Sequence, residues 1–156
     1  MNATMSKIDG IIDILKEDDG AMIPRPANHD DINKCQEYLT ELGLEPLPEG
    51  FIDFLMEYNG LAWNGIEFYS TDQVVNADDP DGYKLMDIPT MNDEFNVRYE
   101  MHKKVLLGRT NKDYFTFNIE TFKYEILQTN NCEITQEFEN FEDLFQHTVG
   151  SRLESS

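Results

Sequence analysis

The sequence predicts an α+β fold, with helices packed on a meander of antiparallel strands. Three observations carry this. Apolar residues recur at helical spacing early in the chain, at Ile8, Ile11, Ile12 and Leu15 and again at Phe51, Phe54, Leu55 and Tyr58. Between Val105 and Phe138 the period falls from about four to about two, as Phe115, Phe117 and Ile119 alternate with Tyr114, Thr116 and Asn118. Helical spacing then returns at Phe141, Leu144, Phe145 and Val149. The strands are therefore grouped between helices instead of alternating with them, which separates this pattern from a parallel βαβ sheet.

Each element has its own signals. The first helix is closed by Asp18, Asp19 and Gly20, and Met22 to Asn28, with two prolines around Arg25, is extended and crosses the surface. Asn28, with Asp31 three residues on, caps a second helix whose buried side carries Ile32, Cys35, Leu39 and Leu42 and which ends at Gly43. Pro48 suits the first turn of the third helix, Glu49 complements its dipole, and Asn59 and Gly60 form its left-handed stop. Ile66, Phe68 and Tyr69 read as a strand after Gly65.

Ser70 to Pro89 is the longest irregular loop, rich in acids and turn formers. Thr90 is the expected cap of a fourth helix containing Met91, Phe95 and Tyr99, with Lys103 and Lys104 at its C-terminal end. Val105 to Arg109 and the alternating stretch after Asn111 to Asp113 form a hairpin with one buried face. Lys123 to Gln128 and Ile134 to Phe138 are further strands, Asn140 caps the closing helix, and the tail SRLESS frays.

With 156 residues the chain is one domain, able to bury roughly 70% of its unfolded surface. Hydrophobic residues at 40% and aromatics at 12% support a packed core despite a mean hydropathy of −0.54. The 31 acids against 12 Lys and Arg give a net charge of −19. Such a field repels nucleic acid and anionic membranes and steers basic partners, although acids also serve solubility alone. Cys35 and Cys132 lack metal-ligand spacing, and Cys35 reads as a buried thiol on a helix face. The start MNATMSKIDG lacks a basic segment leading into an apolar run, and no stretch approaches the ~20 apolar residues that span a bilayer. A reduced, cytoplasmic protein is the expectation.

The ordered set LPEGFIDFLMEYNG, GIEFYS, VLLGR and YFTFNIETFKYEIL, ahead of a terminal FEDLF helix, is similar to the SMI1/KNR4 (SUKH) superfamily. The resemblance covers about residues 39–149, so that one domain spans 1–156 with residues 1–38 as a helical extension. Related sequences usually carry glycine where Phe122 stands, and a phenylalanine there argues against a tight positive-φ turn. The resemblance implies a non-enzymatic binding domain. Many bacterial members are similar to cytoplasmic immunity proteins that neutralise nuclease-type toxins, and fungal relatives are linked to cell-wall regulation. The alternative it leaves open is an intracellular regulatory, scaffold or small-ligand module.

No catalytic, cofactor or metal residues are assigned. Walker, Rossmann, G-x-S-x-G and H-E-x-x-H patterns are absent, and His29, His102 and His147 have no partner at ligand spacing. A calcium loop centred on Gly82 fails, because Ala77 and Ile88 stand where carboxylates are required. For a basic protein partner the candidate contacts are Asp78, Asp79, Asp81 and Asp87 of the long loop, Glu37 and Glu41 of the second helix, and Trp63. Trp63 lies among Asn59, Gly60, Asn64 and Gly65, a setting that leaves room for an exposed indole, although an indole covering the core edge fits the same residues.

Overall fold

The computed structural model describes residues 6–75, 82–101 and 103–155, so Asp78, Asp79, Asp81 and His102 lie outside the described residues. The chain runs α1 (Ser6–Leu15), α2 (His29–Glu41), α3 (Glu49–Glu57), β1 (Leu61–Trp63), β2 (Ile66–Phe68), β3 (Val74–Val75), β4 (Lys84–Leu85) and α4 (Ile88–Tyr99). It continues with β5 (Lys104–Arg109), β6 (Asp113–Asn118), β7 (Lys123–Gln128), β8 (Ile134–Phe138), α5 (Phe141–Phe145), a π turn (Gln146–Gly150) and α6 (Ser151–Ser155). Six strands form one antiparallel sheet in the order β1-β2-β5-β6-β7-β8, and β3 pairs with β4 as a separate ribbon. The fold is α+β, a meander packed with helices, as the change of period predicts.

One face of the sheet packs on phenylalanines drawn from three helical turns and two strands. The Phe54 ring of α3 lies 5.1 Å from Phe141, 5.5 Å from Phe145 and 6.0 Å from Phe68, and Phe68 stacks on Phe115 at 5.1 Å. Ile8, Ile12 and Leu15 of α1 are buried in the same core, so residues 1–38 contribute to it through α1 and α2. Pro48 caps α3 without a side-chain hydrogen bond. The Tyr124 hydroxyl from β7 supplies what the cap lacks, accepting from the backbone N–H groups of Gly50 and Phe51.

The other face is covered by α4, which corrects the expectation of a single buried face. Tyr114 and Thr116 are buried there, with Phe95 5.1 Å from the Tyr114 ring. Asn92 acts as a substitute strand. Its Oδ1 accepts from Leu106 N at 2.7 Å, and its Nδ2 donates to Leu106 O at 2.8 Å, satisfying backbone groups that would otherwise be buried unpaired. Further along this face Glu125, fully buried, accepts from Lys104 Nζ at 2.5 Å and from Thr116 Oγ1 at 3.2 Å.

Several boundaries differ from the sequence reading. Asp87, not Thr90, caps α4, accepting the Thr90 N–H at 3.0 Å, and α4 ends at Tyr99 with Glu100 left-handed, so that Lys104 belongs to β5. Helix α3 stops at an extended Tyr58 because Asn59 N–H turns to the Arg25 carbonyl; only Gly60 has positive φ, at 108°. A Cβ on Gly60 would stand 2.8 Å from both Leu85 Cδ2 and the Phe68 carbonyl. Leu42 is half-exposed, the loop of residues 70–89 holds the β3–β4 ribbon, and Ser151–Ser155 of the tail is helical with Leu153 against the core. Phe122 does take positive φ, 59°, and its partner turn repeats the device at Cys132, also 59°. In both loops the left-handed residue donates its N–H four residues back, to Asn118 O and to Gln128 O.

Two stability outcomes follow. Phe54→Ala opens the junction of α3, β2 and α5 and is expected to cost about 3–5 kcal/mol in urea unfolding. Phe122 is 72% exposed, so Phe122→Gly loses little packing, relieves the left-handed backbone and is expected to stabilise the fold by about 1 kcal/mol in the same assay.

Candidate functional site

A groove of about 950 Å³ opens where three segments meet. The first wall is the extended strap of residues 19–26, held by its own backbone. Met22 exchanges hydrogen bonds with Ala62, N to O at 2.7 Å and O to N at 3.0 Å, and this bridge covers the outer edge of β1. Pro24 and Pro26 keep the strap extended, and Ala27 N–H closes on Leu55 O at 2.9 Å.

The floor is the β1–β2 hairpin, where Trp63 pairs with Ile66 across the two-residue turn Asn64-Gly65, with φ of 50° and 81°. Those angles are the hairpin geometry that an Asn-Gly pair favours. Arg152 of α6 donates to the Asn64 carbonyl at 2.6 Å and fixes the turn from behind. The far wall is the β3–β4 ribbon with Val75 and Tyr83, both partly exposed; the Tyr83 hydroxyl donates to the Glu67 carboxylate. Burial and then this bond raise the Tyr83 phenol far above its ordinary pKa.

Three carboxylates line the groove, those of Asp19, Asp31 and Glu67, against one cation, Arg25. The remaining lining is aromatic, aliphatic and proline surface with the amides of Asn59 and Asn64, and it contains no Ser, Cys, His or Lys. Such a lining accepts hydrogen bonds from ammonium or guanidinium groups and packs the apolar stem behind them.

The sequence-predicted contacts are distributed differently from the expectation. Trp63 is not an exposed anchor: it is 6% exposed, and its indole Nε1 donates to Asp18 Oδ2 at 2.9 Å, so it forms part of the groove floor. Asp87 is half-buried and committed to capping α4. Glu37 and Glu41 are exposed on α2 but do not line the groove. Asp78, Asp79 and Asp81 lie outside the described residues, between Val75 and Tyr83 in the chain. Asp19, Asp31, Glu67 and Tyr83 were missed. The Asn64-Gly65 dipeptide between LAW and IEF was the available signal for the hairpin beneath them.

Among the described residues no three His, Cys, Asp or Glu side chains are grouped to hold a metal ion, and no helix is long and apolar enough to cross a membrane. Both cysteines are free, and burial pushes the Cys35 thiol up to about 12. No protein-family model matches the chain, and no curated protein matches its sequence.

The Trp63 indole, and then the Gly20 N–H, hold the Asp18 carboxyl below its ordinary value. Its contribution is therefore complete above the usual Asp range and is lost as pH falls through the depressed value. The Trp63 indole N–H resonance is expected to hold its position from neutral pH to about 4 and to shift only below that. Asp18→Asn is expected to abolish that acid transition.

Proposed function

We propose that this protein is a non-enzymatic binding module that neutralises a basic partner, acting as a SUKH-type immunity protein toward a nuclease-type toxin. The groove's charge is the observation that carries the reading: Asp19, Asp31 and Glu67 line it with a single arginine, in a chain of net charge −19. A toxin that holds phosphate presents lysines and arginines at that surface. A segment bearing them is steered by the long-range field and then placed by the groove's carboxylates and apolar walls. Occupying the toxin's basic surface excludes its nucleic acid substrate, so inhibition requires no reaction.

The size of the groove supports a second reading, a regulatory module for a small cationic ligand, since about 950 Å³ lies within the range of small-molecule sites. The protein encoded beside this gene separates the two. Under the immunity reading it binds, affinity falls about tenfold or more between low and physiological salt, and the double variant Asp19→Asn/Glu67→Gln loses a further factor of about ten. Absence of binding sinks the immunity reading, and affinity indifferent to salt sinks its electrostatic basis. Calorimetric titration of the purified pair reads all three.

A further inference from the structure

The two edges of the six-stranded sheet are built differently. The outer edge of β1 is bridged by the strap at Met22, and Pro24 and Pro26 beside that bridge have no N–H to give a further strand. At the opposite edge β8 pairs with β7 alone. Among the described residues nothing bridges its outer side, and residues 134–137 are all exposed, Ile134 at 46%. An edge strand of an antiparallel sheet turns every second N–H and C=O outward. Over its five residues β8 therefore presents an open ladder.

The side chains of β8 decide what can use that ladder. Glu137 stands in register opposite Glu125 of β7, and like charges facing each other across a ladder destabilise it. Lys104 Nζ neutralises Glu125 at 2.5 Å, whereas no Lys or Arg nitrogen among the described residues lies within 4.0 Å of the Glu133 or Glu137 carboxylates. From Thr129 to Asp143 the chain has no Lys or Arg of its own. Antiparallel pairing with a second copy sets Glu133, Glu137 and Glu139 against the same acids, so this chain is a poor partner for itself. The register shift between Ile126 and Leu127 adds a pattern. Ile134 pairs with Leu127 and Glu137 with Glu125, two residues apart on β7, so Ile134 and Glu137 share one face.

We propose that the outer edge of β8 docks an extended segment of a basic partner protein, which adds to the sheet as a further strand and carries an apolar residue two positions from a Lys or Arg. Its backbone completes the open ladder, its apolar residue covers Ile134, and its cation relieves the Glu125–Glu137 opposition. The groove is lined by no residue of β8, so this surface does not rest on what the groove binds.

Amide hydrogen exchange of the full chain, read residue by residue by NMR, tests the proposal with the peptide acetyl-Thr-Lys-Thr-Val-Thr-Lys-Thr-amide, whose pattern reads the same in both directions. In excess, it is expected to slow exchange at the outward amides of Ile134–Phe138 about tenfold or more. The same peptide methylated at every backbone nitrogen keeps both charges but has no N–H to pair, and is expected to leave those amides unchanged. Glu137→Lys is expected to weaken peptide binding about fivefold or more, with thermal melting verifying that the variant folds. Asp19→Asn/Glu67→Gln is expected to leave protection of β8 intact; its loss there means that the peptide occupies the groove and overturns the proposal. Unchanged exchange along β8, equal protection by the methylated peptide, or undiminished binding by Glu137→Lys overturns it as well.

Discussion

Everything else in the fold depends on the junction of Phe54, Phe68, Phe141 and Phe145. These four rings, with centroids 5.1–6.0 Å apart, tie α3 to β2 and to the closing helix. Elements distant in sequence are thereby locked in one place, and burial of large aromatic surfaces is what holds them. The junction also sets the groove. Because α3 is fixed on β2, its exit at Tyr58–Gly60 arrives against Leu85, Asn59 reaches both the strap and Thr71, and the β1–β2 hairpin projects where the strap crosses it. The groove's walls come from short segments whose positions are inherited from the core.

Charge is distributed by the same architecture. The buried acid Glu125 is neutralised by Lys104 and sits beneath α4, whereas the groove is lined by the acids Asp19, Asp31 and Glu67 and by Arg25. Paired interior charge contributes to register and packing; of the groove acids, Glu67 already accepts the Tyr83 hydroxyl and Asp31 the Asn28 N–H. Arg98 and Arg109 rest instead on the rings of Tyr99 and Tyr114, at 5.3 and 5.9 Å.

The amphipathic helices, the β5–β8 meander and the α2 and α5 caps can be read directly from the sequence, because each is set by local periodicity or by one side chain over the next turn. Ile134–Phe138 falls on the expected residues, and Asn28 and Asp31 form the expected reciprocal cap. What escaped depends on long-range partners. Asp87 reads as a loop acid until Ile88 and Pro89 are seen buried behind it, and Trp63 fits either an exposed indole or one covering the core edge until Asp18, forty-five residues earlier, receives its N–H. The two-sided burial of β6 requires α4 to fold back over it. The left-handed Phe122 was resisted on local grounds, and the four-residue loop around it overrode that preference. The groove is the most tertiary feature of all, since strap, hairpin and ribbon carry no shared motif.

Trp63 is the sole tryptophan and lines the groove floor, so its indole N–H reports directly on occupancy. The most direct test is a two-dimensional amide and indole spectrum of the full chain recorded while the protein encoded beside its gene is added. On binding in the groove the Trp63 indole shifts together with backbone resonances of the strap, the Asn64-Gly65 turn and the β3–β4 ribbon. Perturbations confined to the Glu37–Glu41 face of α2, with the Trp63 indole unmoved, would contradict it.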